Sequence, residues 1–143
     1  MILQIHSYWA YVVLIILTIA FFNALLGFIK KRSYQDIDMR ISRFTLIIMH
    51  FQLIFGFGVY FVSSYYKSAK EIGMGAAMKD KTIRMFIVEH PIMMILAIVL
   101  VTVGFVKHKK QPISIERFKT LSIYYGIALL FVLSKLPWSQ WLS

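Results

Sequence analysis

Apolar residues in this chain gather in four long blocks, separated by short polar stretches rich in lysine and arginine. A helix that crosses a membrane needs roughly 20 mostly apolar residues to cover about 30 Å of hydrocarbon. Residues 8–29, 44–66 and 85–106 meet that length, the third with Glu89, His90 and Pro91 near its start. Residues 120–136 form a shorter block with Lys135 near its end, where a long side chain can reach the headgroups. In lipid every backbone donor and acceptor needs an internal partner, so the blocks are read as helices. Short connections make sequential helices antiparallel. The expected fold is all-α: one integral membrane domain over residues 1–143, a four-helix up-down bundle.

Composition agrees with that pattern. Hydrophobic residues make up 59% of the chain and charged residues 15%, against about a quarter charged in an ordinary soluble domain. The first block is too long for a secretory signal, lacks a basic stretch ahead of it and lacks a small-residue cleavage site, so it is expected to be retained. The net charge of +10 would suggest nucleic acid in a soluble protein. Here the cations sit between the blocks, where topology and anionic headgroups account for them, and no nucleic-acid partner is expected. The loops at 30–43 and 107–119 together hold ten Lys/Arg, against six for the loop at 67–84 plus Lys135. The positive-inside rule then places both termini on the extracytoplasmic side. Tyr8, Trp9 and Tyr11, Tyr65 and Tyr66, and Trp138 and Trp141 are the expected interfacial anchors.

There are no cysteines, which removes disulfides, iron–sulfur clusters and covalent haem attachment. Four histidines remain as candidate metal ligands: His6, His50, His90 and His108. Neutral imidazole is a good axial ligand for haem iron, and facing helices can place two of them rigidly. Depth restricts the pairing. His6 and His90 share one side, and His50 and His108 the other. Aligning the basic loop ends puts His50 and His90 roughly 16 Å apart along the normal, so one haem between those two is not expected, and it leaves His6 roughly 10 Å beyond His90. On the third span, His90 and His108 lie on one stripe with Met94, Ala97, Val101 and Gly104 between them. Its small members would leave room for a flat group, although small residues also let membrane helices approach with no ligand present.

Two further positions bear on the site. Gln52 and Gly56 occupy nearly the opposite face of the second span from His50, so either His50 meets an apolar ligand or Gln52 turns inward and His50 faces another subunit. Glu89 is read as the acid near a span. Lys135 falls at a comparable height and could pair with it, either as an ion pair fixing helix register or as a supporting carboxylate or proton-transfer group beside a ligand. His50, Glu89 and His90 would also serve a proton or ion pathway.

The chain resembles small four-helix membrane proteins of flavobacteria and their relatives labelled "cytochrome B". The likeness rests on His6-Ser-Tyr-Trp9-Ala, His50-Phe-Gln52, Glu89-His90-Pro91, Lys107-His108-Lys109-Lys110 and Pro137-Trp138-Ser139-Gln140-Trp141. It departs from quinol cytochromes in which two ligating histidines recur within one span on each of two helices. The resemblance implies b-type haem (one, or two) with histidine ligands and electron transfer in the bacterial cytoplasmic membrane. Expected partners are lipid, a quinone and protein subunits of a respiratory or other membrane complex. An electron-transfer protein is expected rather than a self-contained enzyme, because no nucleophile–base set is present. The alternative is a non-haem accessory subunit of a larger membrane complex.

Overall fold

A computed structural model of the chain describes residues 1–136. Trp138 and Trp141, expected as anchors, lie outside the described residues. Among the described residues the structure is helical: α1 (Ile2–Ile29), α2 (Asp36–Val62), α3 (Ser64–Ile72), α4 (Met74–Ala77), α5 (Lys81–Arg84), a π-helical segment (Met85–Glu89), α6 (His90–Lys110) and α7 (Ser114–Ser134). Four helical stretches are long and apolar enough to cross a membrane: α1, α2, the continuous run Lys81–Lys110, and α7. They form an antiparallel square in which α1 and α6 each pack against both α2 and α7. This is the all-α bundle that the four apolar blocks predict, and its outward apolar faces suit contact with lipid.

The helices overrun the apolar blocks, and local chemistry explains where they stop. α2 begins at Asp36 because the Asp38 carboxylate accepts the Gln35 backbone N–H at 2.8 Å and caps the first turn. It ends at Val62, where Ser63 turns the chain and its hydroxyl accepts the Tyr66 N–H at 3.1 Å. Tyr65 and Tyr66 therefore stand on the short α3. α5 starts on Asp80, whose carboxylate accepts the N–H groups of Thr82 and Ile83, both at 3.0 Å. α6 runs to Lys110 and stops at Gln111, whose extended backbone suits the residue before Pro112.

The bundle axis is filled by Leu17 and Ala24 of α1, Met49 of α2, Ala97 and Val101 of α6, and Tyr125 and Ala128 of α7. Without a hydrophobic drive between helices in lipid, this close packing holds the bundle together. Polar bonds cross it as well. Trp9 Nε1 donates to the Ile48 carbonyl at 2.9 Å, and the buried Tyr125 hydroxyl donates to the Ser42 carbonyl at 2.8 Å. The stripe from His90 toward His108 is closed, not open for a flat group: a side chain at Gly104 would collide with Tyr124 of α7. The small residues there serve helix approach.

Candidate functional site

The two ends of the bundle carry different chemistry. At the end holding Met1, α1 presents His6 and α6 presents His90. Their ring centres are 6.5 Å apart and their planes nearly perpendicular, at 86°. The rough 10 Å mismatch expected from the loop ends is largely absorbed because α6 runs to Lys110. Counting from helix ends, His6 is 23 residues from Ile29 and His90 is 20 from Lys110, a difference of roughly 4.5 Å at 1.5 Å per residue.

All four spanning helices shape this pair. The His90 ring donates its Nδ1–H to the carbonyl of Lys135, just past α7, at 2.7 Å. A neutral ring that donates at Nδ1 carries its lone pair at Nε2, so His90 is held in a ligating tautomer. From α2, Gln52 Nε2 donates to the His6 carbonyl at 2.9 Å. Gly56 lies beneath the His6 ring, where an added Cβ would stand 3.4 Å from Cε1. The face of α2 bearing Gln52 and Gly56 thus turns inward. Two buried side-chain atoms here lack a hydrogen-bond partner, His6 Nδ1 and Gln52 Oε1. Leaving such a group unpaired costs about 1–3 kcal/mol.

The backbone before His90 is irregular for identifiable reasons. Pro91 has no N–H to give the Ile87 carbonyl four residues back. The Tyr60 hydroxyl of α2 donates to that carbonyl instead, at 3.2 Å. The His90 N–H reaches back five residues to Met85, which closes the π turn. Glu89 bonds cations and not the His90 ring. It is gripped by Lys135 Nζ at 2.8 Å and Arg84 Nε at 2.7 Å, so the pairing with Lys135 holds and a second cation joins it.

The other two histidines are not brought together. His50 lies outward on α2 among Leu46, Ile47, Phe51 and Ile54, with Nδ1 donating to the Leu46 carbonyl at 2.7 Å. It is 14 residues into α2, while His108 is two from the inner end of α6, a difference in depth of roughly 18 Å. His108 is fully buried with both ring nitrogens engaged. Nδ1 bonds the Phe105 carbonyl, and Nε2 accepts the Tyr34 hydroxyl proton at 2.7 Å. Burial pushes the Tyr34 hydroxyl above its ordinary pKa, which keeps it a donor. The geometry makes His108 part of a closed hydrogen-bonded pair.

Around that pair lies a polar cluster that sequence reasoning missed. Asp38 is 1% exposed and accepts two bonds from Arg32, both 3.0 Å, and one from Asn23 at 2.8 Å. It is therefore a fully buried acid on a spanning helix, unlike the partly exposed Glu89. Arg32 lies 4.8 Å over the Phe118 ring, and the Tyr34 N–H donates to Ser114 Oγ at 2.9 Å, which ties both connecting loops to the bundle. The sole sequence signal was Asp38 three residues after Gln35 at a helix start.

The donors at the His6 end, two imidazoles from different helices, are of the type that would hold haem iron. Among the described residues no group of three or more His, Asp or Glu converges, as a protein-held zinc would require. Two imidazoles are the number an iron already held by a macrocycle needs. No protein-family model, curated protein or solved structure matches this chain.

Proposed function

We propose that this chain is a b-type haem protein of the membrane, with His6 and His90 as axial ligands, passing electrons to or from a quinone or a partner subunit. The observation that carries the reading is the meeting of two imidazoles from α1 and α6 at 6.5 Å, one fixed in a ligating tautomer and the other with a buried unpartnered nitrogen. Haem iron, when bound, supplies one-electron redox chemistry. The protein holds the His90 ring through Lys135 and raises its basicity by that hydrogen bond. Both rings are partly buried between the helices. The resemblance to the "cytochrome B" proteins points the same way.

The test is a visible spectrum of protein purified natively in mild detergent, oxidised and then dithionite-reduced. A low-spin two-histidine spectrum is expected, with pigment that acid–acetone extracts. A colourless protein overturns the reading. It would favour a non-haem accessory subunit of a larger complex, a role that suits the closed Gly104–Tyr124 contact and the outward His50.

The ten-to-six bias in Lys/Arg supports both termini lying outside a bacterial cytoplasmic membrane. Single cysteines at Ser33, Ser68 and Ser114 test this in intact cells. Labelling at 68 alone is expected, and labelling at 33 and 114 with protection at 68 reverses the orientation.

A further inference from the structure

Buried polar atoms in folded proteins are nearly always paired, and each exception needs a physical account. Among the described residues the two exceptions belong to neighbouring residues, His6 and Gln52. These residues are already joined through the Gln52 Nε2 bond to the His6 carbonyl, at 2.9 Å. Their chemistry is complementary. Gln52 Oε1 can only accept, and an imidazole Nδ1 donates whenever it holds the ring proton. Gly56 lies under the same edge of His6, where it offers neither donor nor acceptor on a side chain.

We infer that Gln52 is the positioning residue for His6: its amide oxygen takes the Nδ1 proton, which fixes His6 as the Nδ1–H tautomer and leaves the lone pair on Nε2. The assignment requires the two orphan atoms to close on each other while Nε2 of the amide stays on the His6 carbonyl. The opposite amide orientation is excluded because it would set Oε1 against that carbonyl, two acceptors facing each other. His90 is already in this state, with its Nδ1–H on the Lys135 carbonyl at 2.7 Å. Each ring then has its Nδ1–H fixed by an oxygen of another helix, and in the neutral form both carry their lone pair at the same ring position. Such a pair suits a shared electrophile, because neither ring must lose a proton first. Gln52 on α2 and Lys135 beyond α7 thus play equivalent parts for the two rings. This assignment deepens the haem reading but is measured without haem.

The experiment is nitrogen NMR on protein labelled with ¹⁵N-histidine, expressed under haem limitation and purified in mild detergent. His6 and His90 signals are assigned by their loss in His6→Ala and His90→Ala. In the unmutated protein both rings are expected to show a protonated Nδ1 and an unprotonated Nε2. Gln52→Glu keeps an acceptor oxygen for Nδ1 but sets a second acceptor against the His6 carbonyl, so it should retain the Nδ1 proton on His6 at a cost in stability. Gln52→Leu removes the acceptor and should move most of the His6 population to the Nε2–H form, while His90 stays unchanged and reports that the bundle is intact. A wild-type His6 protonated at Nε2 overturns the assignment, and needs no variant to fold. So does Gln52→Leu with an unaltered His6 pattern. Colourless wild-type protein with His6 protonated at Nδ1 would sink the haem reading alone and leave the role of Gln52 standing.

Discussion

Lys135 holds His90 and Glu89 with different atoms. Its carbonyl accepts the His90 Nδ1–H at 2.7 Å, and its ammonium meets Glu89 at 2.8 Å. The stretch after the fourth helix therefore sets the third helix's imidazole through the backbone, whatever side chain position 135 carries. Lys135→Ala should keep the ring in place, because the carbonyl survives and Arg84 still holds Glu89. The expected result is an unchanged haem spectrum and only a slight fall in melting temperature, since an ion pair open to water contributes little. Lost or altered pigment in Lys135→Ala would mean that the side chain, and not the carbonyl, governs the site.

The histidines should separate into two classes. His6→Ala and His90→Ala are each expected to remove the pigment or convert its spectrum to a five-coordinate high-spin form, with the protein still inserted. His50→Ala should leave the spectrum untouched, because that ring faces out of the bundle. His108→Ala should spare the pigment and lower stability, as it removes the imidazole that accepts the Tyr34 hydroxyl and opens a buried space. Absorbance per protein and a detergent melting curve read both effects.

Tyr60→Phe probes the irregular backbone before His90. Removing the hydroxyl leaves the Ile87 carbonyl without its donor, because Pro91 cannot supply one. A loss of about 1 kcal/mol is expected in reversible unfolding. Pro91→Ala returns an N–H to the helix, so the combined Tyr60→Phe/Pro91→Ala variant should lose less than Tyr60→Phe.

At the opposite end, Asp38→Asn weakens both Arg32 bonds to a buried carboxylate. A destabilisation of about 1–3 kcal/mol is expected, moderated by the partial exposure of Arg32. Arg32→Gln/Asp38→Asn should cost less than the sum of the single changes, the mark of a coupled pair. Additive losses would show that the two residues act separately.

The apolar blocks made the bundle legible because a spanning helix is set by length and solvent, which a sequence displays directly. Helix ends were harder. Residues 36–43 look like a loop because they carry Asp36, Asp38, Arg40 and Arg43, and only the Arg32 and Asn23 partners explain how Asp38 enters the interior. The Glu89–Lys135 contact was readable from matching depths. The facing of α2 was not, since helical spacing shows that His50 and Gln52 lie on opposite faces but not which face turns inward. His108 was misleading for a different reason. Its lysine neighbours suggest a wet surface, whereas Tyr34, far away in sequence, seals it inside.

The π turn at Met85–Glu89 accommodates one residue beyond what α-helical pitch needs over the same rise. That surplus makes the segment a length buffer between the outer connection and the seated helix. A chain one residue shorter there could return to ordinary pitch with α5 and the connection behind it kept in register, and with His90 and everything after it left in place. Sequence length could therefore drift at this point without disturbing the histidine pair, and relatives aligned across it would show a single-residue gap where the interior still matches.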